Sequence, residues 1–195
     1  VLYREERARA RREELAKREE DARPKLKVRS TDGSLAPLDD KRLATLVNEA
    51  VAGLDGASAE PVLAETMRNL YDGITQDELA LASIMAARTL VEQEPNYAFV
   101  SARLLLDRLR REALTFIAGK QTQATQAEIM TGYAPYFEAY VRRGVQLDLL
   151  DGELLKFDLP KLARALKPER DLLFQFLGLQ TLYDRYFLHS NNVRF

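Results

Sequence analysis

The sequence contains no cysteine, no tryptophan and a single histidine, His189. Without thiols there is no disulfide, no thiolate zinc site and no cysteine nucleophile. One imidazole with no E-x-x-H pattern around it makes no metal cluster, so no metal ligand is expected. Nor does G-x-S-x-G occur to supply a serine nucleophile for His189, and no catalytic residue is expected. Phosphate-binding glycine loops are also missing: neither G-x-x-x-x-G-K-[ST] nor G-x-G-x-x-G is present. Charge of one sign is not in excess either. The 29 basic residues nearly cancel the 30 acidic ones, for a net charge of −1, which argues against direct binding of nucleic acid. No apolar run approaches the roughly 20 residues of a membrane helix, and the N-terminus carries charge where a signal peptide would be apolar. A chain without cysteine fits the cytoplasm.

What is present is helical. The stretch from Tyr71 to Arg111 holds a turn, a helix start, two apolar helices and the break between them. Thr75 and Glu78 have capping-box spacing. Leu79, Ala82, Ala86 and Leu90 then recur at helical period. Glu94-Pro95-Asn96 stops that helix, because the residue before proline avoids the α region. A second helix is predicted from Tyr97 to Phe116, with Leu104, Leu105 and Leu109 on its apolar face.

Around this centre the chain divides into three. Residues 1–24 are dense in Arg and Glu with almost no apolar stripe, and read as a charged helical linker. Residues 25–117 open with alternating Lys25-Leu26-Lys27-Val28-Arg29, an Asp32-Gly33 turn and Leu35-Ala36-Pro37-Leu38, a small hairpin whose proline marks an edge. Helices follow, capped by Asp39 or Asp40 and by Ser58. Residues 118–195 begin with a polar loop and a second capping box, Thr125 and Glu128. A helix containing Pro135 comes next, kinked or split there. Asp158 starts a short helix, and Pro168 begins a longer one running to Phe187. Val193-Arg194-Phe195 reads as a strand without its partner. The fold class is mainly α: a helix bundle with a hairpin cap, then a helical segment. Val1 and Phe195 suggest a piece of a longer chain.

Several short motifs stand in a fixed order: Asp32-Gly33, Tyr71-Asp72-Gly73-Ile74, Pro95-Asn96-Tyr97 and Ala102-Arg103-Leu104. This order resembles the ATP cone, and specifically the cone of the class I ribonucleotide reductase large subunit. The likeness continues through Tyr133-Ala134-Pro135-Tyr136, Arg170-Asp171 and Leu182-Tyr183-Asp184-Arg185-Tyr186, which look like the start of the reductase N-terminal helical domain. The resemblance covers roughly residues 26–195.

It implies an N-terminal regulatory and scaffolding region of an enzyme that reduces ribonucleoside diphosphates with paired cysteines, which this chain lacks. It implies as partners the rest of the large subunit and a radical-generating small subunit in an oligomer. ATP and dATP are the allosteric effectors the family implies. Here Ser30 and Thr31 stand where the family has a basic pair, Ala36 or Pro37 where it has an acid, Gln76 and Ala80 where it has a threonine and a histidine, and Asp107 where it has an aromatic. Lys41, Arg42 and Arg111 remain as vestigial ATP/dATP positions, so the cone reads as degenerate and without a cofactor of its own. Two alternatives stay open. One is a cone-containing regulator, which would need a four-cysteine zinc ribbon before the cone. The other is a free-standing helical interaction module.

Overall fold

Val28 points inward between the exposed Lys27 and Arg29, and this alternation makes strand β1 (Lys27–Arg29). The computed structural model describes residues 26–30, 33–190 and 193–194. The charged segment 1–24, Thr31-Asp32 and the Asn191-Asn192 turn lie outside the described residues. Strand β2 (Leu35–Pro37) pairs antiparallel with β1, Val28 opposite Ala36. A two-residue strand β3 (Ile74–Thr75) pairs parallel on the other side, Val28 opposite Ile74. The order is β2-β1-β3, so Pro37 sits on an edge strand, where it need not donate to the ladder.

Helix α1 (Asp40–Val51) begins where the Asp39 carboxylate accepts the Arg42 N–H at 2.9 Å. Helix α2 is Ala59–Arg68, α3 is Gln76–Thr89 and α4 is Tyr97–Ala118. The Thr75/Glu78 box opens α3, both reciprocal hydrogen bonds being formed. Gly119, at φ +66°, closes α4 in the left-handed region that suits glycine. Helix α5 (Gln126–Gln146) opens on the Thr125/Glu128 box and runs on through Pro135 without splitting. After it come a 3₁₀ turn (Gly152–Lys156), α6 (Leu159–Ala165), a second 3₁₀ turn (Pro168–Leu173) and α7 (Phe176–Arg185).

Helix α4 is the axis. It packs against α1, α3 and α7, burying Val100, Leu104 and Leu105 in one cluster with Val47, Val62, Ile84 and Leu179. Each such aliphatic side chain, fully buried, contributes about 1.5–3 kcal/mol. The result is mainly α, with one three-stranded sheet and a two-stranded pair near the C-terminus.

Three expectations are corrected. Ser58 precedes α2 but makes no side-chain cap; instead the Tyr97 hydroxyl accepts its N–H and donates to its carbonyl, both at 3.1 Å. No single helix runs from Pro168 to Phe187. The chain is extended at Phe174 and Gln175 between the 3₁₀ turn and α7, which lets both Phe174 and Phe176 face the core, Phe176 beneath the Arg88 guanidinium at 4.5 Å. Finally, the strand at Val193–Arg194 (β5) has its partner just upstream: it pairs antiparallel with β4 (His189–Ser190).

Candidate functional site

The sheet, α1, α3 and α4 enclose a cavity of about 330 Å³, at the small end of ligand pockets. Val28, Leu43, Leu46, Leu79 and Leu104 supply its apolar wall. Its charged lining residues are Asp39, Arg42, Asp107 and Arg111, two of each sign.

Each of these is already engaged. Asp39 caps α1. Arg42 donates from Nη2 to Asp107 Oδ1 at 3.5 Å, and Arg110 Nη2 lies 3.8 Å from the same oxygen. Arg111 reaches the first turn of α3 instead, meeting the Asp77 carboxylate at 2.5 Å and the Gln76 carbonyl at 3.4 Å. Burial pushes the Asp107 carboxyl above its ordinary value; Arg110, Arg42 and Arg111 pull it back, while Glu49 adds to the rise. Burial likewise lowers Arg110, opposed by Asp107, Glu49 and Asp171. Arg110 also donates to Gln126 Oε1 at the start of α5.

Arg42 and Arg111 thus come to one cavity from α1 and α4, whereas Lys41 is exposed and lines no part of it. Ser30, Ala36, Pro37, Gln76 and Ala80 line it as well; Thr31 lies outside the described residues. Two residues lie outside the sequence-predicted set: Gln123 lines the cavity, and Arg110 does not line it but pairs with Asp107. Arg110 was visible as an i,i+3 partner of Asp107; Gln123 gave no signal.

The motif residues themselves are joints of the fold. Lys27 N–H donates to Asp72 Oδ1 and the Lys27 carbonyl accepts from Gly73 N–H, both at 2.8 Å, which docks β1 on the turn before β3. Asn96 donates to the Asp55 carbonyl at 2.8 Å. Arg103 Nη1 donates to the carbonyls of Ala50 and Ala52 at 2.9 and 2.8 Å, satisfying the end of α1.

A second cavity, of about 540 Å³, lies among α4, α5 and α7, with Tyr133, Tyr136, Phe137 and Tyr140 along it. Tyr133 donates to Asp171 at 3.4 Å. Burial, with the Asp171 charge, pushes its phenol up to about 12. Among the described residues no group of three or more His, Cys, Asp or Glu side chains is placed to hold a metal ion, and no helix is long and apolar enough to cross a membrane.

Residues 26–112 match the family described as ATP cone domain. This segment is similar to an ATP cone. Over its full length, cone and following helices together, the chain is similar to the alpha subunits of ribonucleoside-diphosphate reductases, in their N-terminal region. It is 39% identical over 199 residues to that of Chlamydia trachomatis serovar D, covering 100% of this chain and 18% of the relative. To that of Chlamydia muridarum it is 36% identical over 198 residues, again 18% of the relative. To that of Helicobacter pylori strain 26695 it is 32% identical over 165 residues, 83% of this chain and 19% of the relative. The chain therefore spans under a fifth of the length of these relatives. The joints of the matched segment reach beyond it: Glu49, within it, binds the N-terminus of α5, which lies after it.

Proposed function

We propose that this chain is the N-terminal regulatory and scaffolding region of a ribonucleoside-diphosphate reductase large subunit, and that its cone takes up neither ATP nor dATP. The parent enzyme reduces ribonucleoside diphosphates to deoxyribonucleoside diphosphates for DNA synthesis. Its partners are the remainder of the large subunit and a radical-generating small subunit, in a cytoplasmic oligomer. The chain itself, without cysteine, reduces no ribonucleotide.

The observation that carries the nucleotide-free reading is the charge balance of the cone cavity. A triphosphate brings several negative charges, and its site must offset their desolvation with charge-assisted hydrogen bonds. The cavity wall carries two cations and two carboxylates, and both cations have protein partners already. Lys41 is exposed and lines no part of the cavity, and Ser30 offers no charge. The residues present do not fit the effector. Each missing contact is worth about 1–3 kcal/mol, and three or four together weaken a micromolar site to beyond about millimolar.

Calorimetric titration of the chain with ATP and with dATP tests this. No saturable binding below about millimolar is expected. A dissociation constant of about tens of micromolar or less would overturn it and restore Arg42 and Arg111 as ligands.

A further inference from the structure

Asp107 is a carboxylate on the middle of a central helix, with its side chain 13% exposed. It is not there for want of a better place. Guanidinium groups surround it: Arg42 from α1 at 3.5 Å, Arg110 one turn along α4 at 3.8 Å, and Arg111, close enough for its charge to act on the carboxyl. These cations are themselves largely buried, their side chains 21%, 13% and 15% exposed. A buried cation left without a counter-charge is strongly unfavourable. Asp77 answers Arg111 from a position 61% exposed. For Arg42 and Arg110, Asp107 is the ion-pair partner found among the described residues. Even so the cluster is short of acceptors, for the buried Arg110 Nε has none.

We infer that Asp107 is a built-in anion: its carboxylate fills, from within the chain, the place beside Arg42 and Arg110 that the acidic group of a diffusible ligand could otherwise fill. The inference rests on the reading of the cone as nucleotide-free and gives that reading a cause. The same carboxylate has a mechanical role. Arg42 belongs to α1, and Arg110 also holds Gln126 of α5. One oxygen of Asp107 therefore ties α1 to α4, and through Arg110 to α5, with no ligand present. The arrangement of these helices is held without a ligand, and the segment serves as a fixed spacer instead of a sensor.

Replacing Asp107 with Asn keeps the shape and removes the charge. Inorganic tripolyphosphate and ATP are titrated calorimetrically into the wild-type chain, D107N and D107N/R42Q. D107N is expected to bind tripolyphosphate at least about tenfold more tightly than the wild type, and the added R42Q to abolish the gain. Thermal unfolding gives a second readout: D107N melts lower than the wild type in chloride, and tripolyphosphate raises its Tm while leaving the wild type unmoved. A D107N chain unfolded in chloride is expected to regain helical circular dichroism on adding tripolyphosphate. D107N that neither binds nor is stabilised, beside a wild type that does not bind ATP, overturns the built-in anion alone. A gain that survives R42Q overturns it too. A wild type that binds ATP at about tens of micromolar overturns the nucleotide-free reading and this inference together.

Discussion

The carboxylate of Glu49 accepts the backbone N–H of Gln126 at 2.7 Å and that of Ala127 at 3.4 Å. A side chain near the end of α1 thereby satisfies two of the free donors at the start of α5, some 77 residues on. Anionic groups are favoured at that pole of a helix. The contact joins the cone to the helices after it by charge, where Phe176, Leu179 and Tyr183 join them by apolar packing.

Glu49→Gln is expected to destabilise the chain by about 0.5–2 kcal/mol, the range of a lost cap. The local Thr125/Glu128 box remains, so the helix survives. Urea titration gives the magnitude. Faster hydrogen exchange at the amides of Gln126 and Ala127 locates it, and unchanged exchange there would refute the assignment.

Arg103→Met keeps the apolar stem and removes the donors that close α1. A loss of about 1–3 kcal/mol is expected, with fraying of α1 visible as rising exchange near Ala52. An unaltered midpoint would mean that water replaces the guanidinium at no cost.

Leu105 is 2% exposed and Leu177 is 76% exposed. Leu105→Ala should cost about 2–5 kcal/mol through the cavity it leaves. Leu177→Ala should cost under about 0.5 kcal/mol. Equal losses in denaturant would show that Leu177 is covered in solution.

Alkaline pH is expected to weaken the second aromatic cavity. The Tyr133 phenol is raised from 10.0 to about 12, chiefly by burial. Above pH 10 the unfolded chain releases this proton while the folded chain keeps it, so stability falls as pH rises. The contribution is complete below the unfolded value and lost by about pH 12. Tyr133→Phe removes this share of the slope, read from urea midpoints at pH 9, 10 and 11; an identical slope in the variant would exclude Tyr133 as its source.

The helix starts were legible because capping is local: Thr75 with Glu78 and Thr125 with Glu128 are complete within four residues. The apolar face of α4 was legible from its period. What failed depended on distant partners. Ser58 has the chemistry of a cap, but Tyr97, 39 residues away, holds its backbone. The run from Leu172 to Phe187 keeps a helical period, yet turning both Phe174 and Phe176 inward requires extended backbone between them. At the cone cavity, Lys41 and Arg42 were equal candidates. Neighbours on a helix point about 100° apart, and only the packing of α1 against α4 decides that Arg42 enters. Its pairing with Asp107 spans 65 positions, beyond any local rule.

The parallel pairing of Val28 with Ile74 sets an order of events. A two-stranded hairpin alone is at best marginal in water, so β1 and β2 gain a lasting seat only when β3 arrives. The Lys27–Asp72 bond closes a span of 45 residues that contains α1 and α2, and contacts of such separation form only after their closure entropy is overcome. The helices are accordingly expected to assemble first, and the strands that wall the cavity to close over them last. The same strands open first on destabilisation: exchange at the amides of Lys27 and Val28 should outpace that at Leu105 well below the global midpoint, and synchronous exchange would deny the sequence of steps.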